Sequence, residues 1–171
     1  RKLFKVFTIF VNKTQLMLKI QILENVYLNK NLAIKPDYLI HPTVSGNKFR
    51  KLKYNLEKAQ STNVKGLLTF GGAYSNHIAA TAAAGKEMNM PTVGVIRGEE
   101  LETHVENNPT LKYARDCGMH LEFVERSIYK NKTDPGYLQQ LMQNYKRYFI
   151  IPEGGTNELA IKGCEEILTI K

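Results

Sequence analysis

From residue 64 onward, short apolar runs alternate with segments of helical period. Val64 to Phe70 predicts a buried strand, and Gly71-Gly72 ends it. An alanine-rich helix is predicted from about Ser75 to Met88, then a strand over Thr92 to Ile96. A Gly-Glu-Glu loop leads to a helix from about Pro109 to Asp116, with proline in the first turn and Gly118 past the end. His120 to Val124 predicts a third strand, Gly136 to Lys146 a helix, and Tyr148 to Ile151 a fourth strand stopped by Pro152. A last helix begins at about Thr156. Four βα units in succession predict an α/β fold, a doubly wound parallel sheet with helices on both faces. In such sheets ligands bind beyond the carboxyl ends of the strands. The stretches Gly71 to His77 and Pro152 to Asn157 both follow strands, so they share that edge.

Upstream, Lys48 to Gln60 predicts one amphipathic helix, with Phe49, Leu52, Leu56 and Ala59 along one stripe. Arg50, Lys51, Lys53 and Lys58 fall largely off it, while Ser45-Gly46 and Asn47 offer turn and cap chemistry. Residues 1 to 34 predict a strand or two plus an extension, and no internal repeat or long linker is present.

Charge changes this picture locally. Residues 1 to 60 hold 12 of the 24 Lys and Arg but 3 of the 16 acidic residues, so the net charge of +8 belongs to the first third. Clustered cations suit nucleic acid, yet the chain has no recognisable nucleic-acid motif and its tyrosines are scattered. A solvated basic face with a small anionic ligand site is the better reading. No apolar run approaches the ~20 residues of a membrane span. The apolar start at Leu3 to Val11 is interrupted by Lys5 and has no small-x-small site after it, so a cytoplasmic location is expected. The two cysteines, Cys117 and Cys164, form no disulfide framework and read as small packed residues. His41, His104 and His120 have no metal-ligand spacing, so no metal site is expected. Glu99, Glu100, Glu102 and Glu106 read as a solvated loop.

Three stretches carry candidate chemistry. In Ser45-Gly46-Asn47-Lys48-Phe49-Arg50-Lys51, a lysine at a helix start feels the positive helix end and two neighbouring cations. Both effects lower its pKa, which suits a lysine that condenses with a carbonyl. Lys51 lies one turn on, placed to meet an anion. In Gly71-Gly72-Ala73-Tyr74-Ser75-Asn76-His77, glycines let a ligand approach the backbone, and the helix opening at Ser75 offers free N–H groups to a carboxylate or phosphate. Pro152-Glu153-Gly154-Gly155-Thr156-Asn157 repeats the arrangement, with Thr156 as a cap or as part of the same pocket wall. Taken singly, each stretch also reads as an ordinary turn or a solvated helix face.

In this order, these segments resemble the 1-aminocyclopropane-1-carboxylate deaminase and D-cysteine desulfhydrase family. The resemblance rests on Leu39-Ile40-His41-Pro42, Ser45 to Leu52, Leu67 to His77, Val95-Ile96-Arg97-Gly98-Glu99 and Ile151 to Asn157, and runs from about residue 21 to the end. It implies a tryptophan-synthase-β-like fold, and residues from about 60 to 150 as its smaller βα domain. It implies pyridoxal 5'-phosphate as cofactor, with Lys48 joined to it covalently, Lys51 at its phosphate and Asn76 at the ring's 3-oxygen. Ser75 becomes a catalytic hydroxyl, and Ser75, Asn76, His77 and Gly155 contact the substrate. The implied reaction is deamination or β-elimination of a small amino acid to an α-keto acid and ammonia. His77, where family deaminases tend to carry Gln, leans toward the desulfhydrase side. The family also implies a homodimer and a chain about twice this long, so these residues read as the amino-terminal half of an enzyme. Residues 1 to 20 match poorly, and Lys35-Pro36-Asp37-Tyr38 stands where many relatives carry an Arg-Asp-Asp-like stretch. The rival is a non-catalytic α/β module that keeps only the anion site.

Overall fold

The computed structural model describes residues 21–25, 30–34 and 37–168. The expectations for residues 1–20 and for Lys35-Pro36 lie outside them. Strands β1 (Gln21–Asn25) and β2 (Lys30–Ile34) form an antiparallel pair with Gln21 opposite Ile34. Helix α1 (Asn47–Ser61) leads into the main sheet, β3 (Gly66–Gly71), β4 (Thr92–Arg97), β5 (Met119–Val124) and β6 (Tyr148–Ile150). Among the described residues, the further α-helices are α2 (Asn76–Met88), α3 (Pro109–Asp116), α4 (Arg126–Tyr129), α5 (Pro135–Asn144) and α6 (Glu158–Glu165). The four strands are parallel in the order β5-β4-β3-β6.

Alternation along β3 explains the layering. Leu67 packs with Leu52, Leu56 and Ala59 of α1 and with Ala80, Ala83 and Ala84 of α2. The next residue, Leu68, points the other way and packs with Phe70, Val95, Tyr129 and Leu141, beneath α4 and α5. Helices therefore cover both faces, as a doubly wound sheet requires. Each fully buried leucine contributes ~1.5–3 kcal/mol, so Leu52 and Leu56 alone fasten α1 to the sheet. Among the described residues, no helix is long and apolar enough to cross a membrane.

Four local expectations are corrected. Glu99–Asn107 is 3-10 helical rather than a loop, pinned through Arg126 to Glu100 and Arg115 to Glu106. The short α4 was not anticipated. Asn47 is the first residue of α1 and makes no cap; Gly46 precedes the helix with no side-chain cap. The last helix is capped by Asn157, whose Oδ1 accepts from the Ala160 N–H at 2.9 Å, while the Thr156 hydroxyl accepts from Lys51.

The basic face of α1 is less solvated than its pattern suggests. Arg50 is only 6% exposed and donates to Asp37 through Nε at 2.7 Å and Nη2 at 2.9 Å. Lys53 pairs with Glu166 at 2.6 Å. The far side of α1 receives α6 so closely that a Cβ on Gly163 would lie 2.0 Å from the Arg50 carbonyl oxygen.

Candidate active site

In the order β5-β4-β3-β6, the chain moves outward from β3 through β4 to β5, then returns to the other side of β3. The loops after β3 and β6 therefore face each other across a topological switch point, where open α/β sheets form their binding crevice. The first of them, running into α2, presents Ser75, Asn76 and His77 on one side, and the second presents Gly154, Gly155 and Thr156 on the other. Helix α1 brings Lys48 and Lys51 to the same place.

Lys51 Nζ donates to Thr156 Oγ1 at 2.9 Å and to the Gly154 carbonyl at 3.4 Å. One turn on, Asn55 and Asn157 exchange hydrogen bonds of 3.1 and 2.8 Å, which locks α1 to the start of α6. Lys48 is half-buried in the first turn of α1. Burial and the Lys51 charge hold its pKa below the ordinary lysine value, a Cys164 contribution opposing them. Desolvation is the larger cause, set by tertiary packing, and the neighbouring cation expected from the sequence is the second.

Ser75 caps α2: its Oγ accepts from the Ile78 N–H at 3.3 Å, which leaves its own hydroxyl proton to donate. The N–H groups of Asn76 and His77 open the helix without intrahelical partners, and the Asn76 side chain is exposed. His77 differs from both, being 1% exposed. The Thr69 hydroxyl donates its one proton to the Ile151 carbonyl at 2.9 Å and so accepts from His77 Nε2 at 2.8 Å. Burial first, then the charges of Lys48 and Lys51, push the imidazole down to about 4, against smaller pulls from the Pro152 backbone and Glu153. His77 is therefore neutral at physiological pH, with Nδ1 unpartnered among the described residues.

Gly155, at φ +72°, completes the wall; a Cβ there would lie 3.1 Å from His77 Cε1 and 3.5 Å from Lys51 Cβ. The six sequence-derived candidates, Lys48, Lys51, Ser75, Asn76, His77 and Gly155, thus meet at one crevice. Thr69 escaped notice because a threonine in an apolar strand gives no sign of what its hydroxyl ties together. His41 is structural, accepting from the Val44 N–H at 3.0 Å. No cluster of three potential metal ligands occurs among the described residues.

The donor set fits an anionic aldehyde cofactor. An amine disfavoured as an ammonium, a second ammonium beside a threonine hydroxyl, and a glycine wall that leaves backbone accessible are groups such a cofactor takes.

No protein-family model matches the chain. A Thermotoga maritima protein named as a candidate 1-aminocyclopropane-1-carboxylate deaminase is 32% identical over 136 residues, covering 78% of this chain and 42% of its own. A Pyrococcus abyssi protein of the same name is 29% identical over 146 residues, covering 83% and 43%. An Arabidopsis thaliana protein named as a bifunctional D-cysteine desulfhydrase/1-aminocyclopropane-1-carboxylate deaminase is 29% identical over 141 residues, covering 79% and 35%. The chain thus spans less than half the length of these curated relatives. A solved structure described as an ACC deaminase homologue superposes with TM-score 0.70 over 96% of this chain and 54% of its own, at 24% identity. A hydrogen sulfide-producing enzyme of Fusobacterium nucleatum superposes with TM-score 0.54 over 82% and 45%, at 14% identity. In sequence and in fold, the chain resembles the 1-aminocyclopropane-1-carboxylate deaminase and D-cysteine desulfhydrase enzymes.

Proposed function

We propose that the chain is part of a pyridoxal-phosphate-dependent enzyme that deaminates a small amino acid, by β-elimination or by ring opening, to an α-keto acid and ammonia. The observation that carries this reading is Lys48: a half-buried amine at a helix start, disfavoured as an ammonium, close enough to His77 for its charge to act on the buried imidazole. Its neutral form is the one that attaches to an aldehyde and later accepts a proton. Lys51 and the Thr156 hydroxyl hold the cofactor's phosphate, and the Asn76 carboxamide its ring oxygen. The cofactor, when bound, supplies the electron sink that lets an amino acid's Cα give up a proton.

The remaining work falls to the chain itself. The open N–H groups of Asn76 and His77 hold the substrate carboxylate. The Ser75 hydroxyl, its oxygen fixed by Ile78, has a proton to deliver beside that carboxylate. The neutral His77 adds no charge to the crevice and holds the first turn of α2 against β3 through Thr69. Gly155 keeps the opposite wall thin. The same resemblance supports a homodimer as the working assembly.

The test is an absorption titration with pyridoxal phosphate, on the wild-type chain and on Lys48→Ala. A visible band that borohydride makes permanent, and that Lys48→Ala abolishes, supports the reading. Binding with no Lys48-dependent band returns the chain to the rival reading, an anion-binding module without lysine chemistry.

A further inference from the structure

Beside the crevice, toward β4, lies a cleft of about 510 Å³. Gly72, Tyr74, Ser75, Arg97, Arg126 and Glu153 are among the residues that line it. Its charges are not equivalent. Arg126 is neutralised by Glu100, with Nη2 to Oε1 at 2.5 Å. Glu153 accepts from the Tyr129 hydroxyl at 2.7 Å and pairs with Lys132 at 3.3 Å. Arg97 forms no ion pair among the described residues. Its guanidinium carbon lies 5.8 Å from the Tyr129 ring centre. Nη2 stands 3.5 Å from where a Cβ on Gly72 would be, so the arginine head lies against the loop that carries Ser75. The one uncompensated charge in the cleft is therefore positive, and it is delivered by the last residue of β4.

We propose that Arg97 binds the distal anionic group of a small dianionic ligand, whose first carboxylate sits at the Ser75 end of the cleft. Ser75 lines the cleft and also caps α2, so a molecule held at the helix end extends directly past it toward Arg97. The volume lies in the ~300–1,000 Å³ range of clefts that hold drug-sized ligands, more than three carbons need. That the ligand is the substrate, an amino acid with an acidic group at its far end, rests on the function proposed above; the anion site itself does not. A guanidinium offers paired donors in a plane, which match a carboxylate's two oxygens.

Succinate and butyrate, both of four carbons, differ in the second carboxylate alone and are titrated calorimetrically against the chain. Succinate is expected to bind about tenfold tighter than butyrate, the size of one charge-assisted hydrogen bond. Arg97→Gln should remove that preference and leave butyrate binding unchanged. Arg97→Lys, which keeps the charge but not the fork, should fall between. Arg97 is exposed, and each variant is checked to melt as the wild type does. Equal binding of the two acids, or a preference that survives Arg97→Gln, overturns the proposal. The preference should persist in Lys48→Ala. A Lys48-dependent cofactor band without a succinate preference sinks the Arg97 assignment alone. The preference without the band keeps the anion site and removes the enzyme reading.

Discussion

His77 makes a quantitative prediction about acid stability. In the unfolded chain its imidazole titrates at the ordinary 6.5, whereas in the fold it is pushed down to about 4. Between those values the unfolded state binds a proton that the folded state refuses, so stability rises with pH there. The contribution is fully present above pH 6.5 and is lost as the pH falls through about 4. At 1.36 kcal/mol per pKa unit, the whole swing is about 3 kcal/mol. The perturbation is His77→Gln, which keeps a polar side chain beside Thr69 but does not titrate. Urea unfolding of both proteins between about pH 7 and pH 4 gives two stability curves. Every other group is common to both proteins, so the difference between the curves isolates His77. The wild type should lose about 3 kcal/mol more than His77→Gln over that interval. Parallel curves would refute the reasoning, because they mean that the imidazole is hydrated or paired in the fold.

Two further outcomes follow from the packing of α1. Helix propensity alone makes Gly163→Ala stabilising by ~1 kcal/mol; the 2.0 Å approach of its Cβ to the Arg50 carbonyl oxygen predicts the reverse, a loss of about 2 kcal/mol in urea melts. Asp37→Ala leaves the buried Arg50 guanidinium without its two hydrogen bonds and should cost about 3 kcal/mol, read as a lower thermal midpoint; a change under about 0.5 kcal/mol means water or Glu166 replaces the carboxylate.

The periodic elements were legible because their signals are local. The stripe Phe49-Leu52-Leu56-Ala59 sets one face of α1, and all four residues are buried. The βα alternation set the order of strands and helices, and Ser75 at the start of α2 caps as its type suggests. What escaped depends on partners far along the chain. Arg50 looked like one more solvated cation, since Asp37 lies in a separate 3-10 turn with no pattern linking the two. Thr156 and Asn157 are equally good caps by type; in the fold Asn157 caps α6 and Thr156 meets Lys51, 105 residues earlier. The acidic run Glu99 to Glu106 has no apolar period, and its 3-10 turns are held by arginines on neighbouring elements. The crevice residues could be named from the motifs, but not the neutral state of His77, which follows from Thr69 and from two lysines of another helix.

The distance in sequence across the crevice has a consequence for how the protein forms. Thr69 meets Ile151 across 82 residues, Lys51 meets Thr156 across 105, and Asn55 meets Asn157 across 102. Apart from Ile151 and Phe149, the core between α1, α2 and β3 draws on much nearer segments. During synthesis, at ~5–20 residues per second, that core has seconds in which to collapse before β6 and α6 leave the ribosome. Closing such long loops is also the slow part of folding in a free chain. Until β6 pairs with β3, the sheet has three of its four strands, and Lys48 and the His77 ring lack their far wall. The crevice around Lys48 is thus complete only when α1 and the segment after β6 have met.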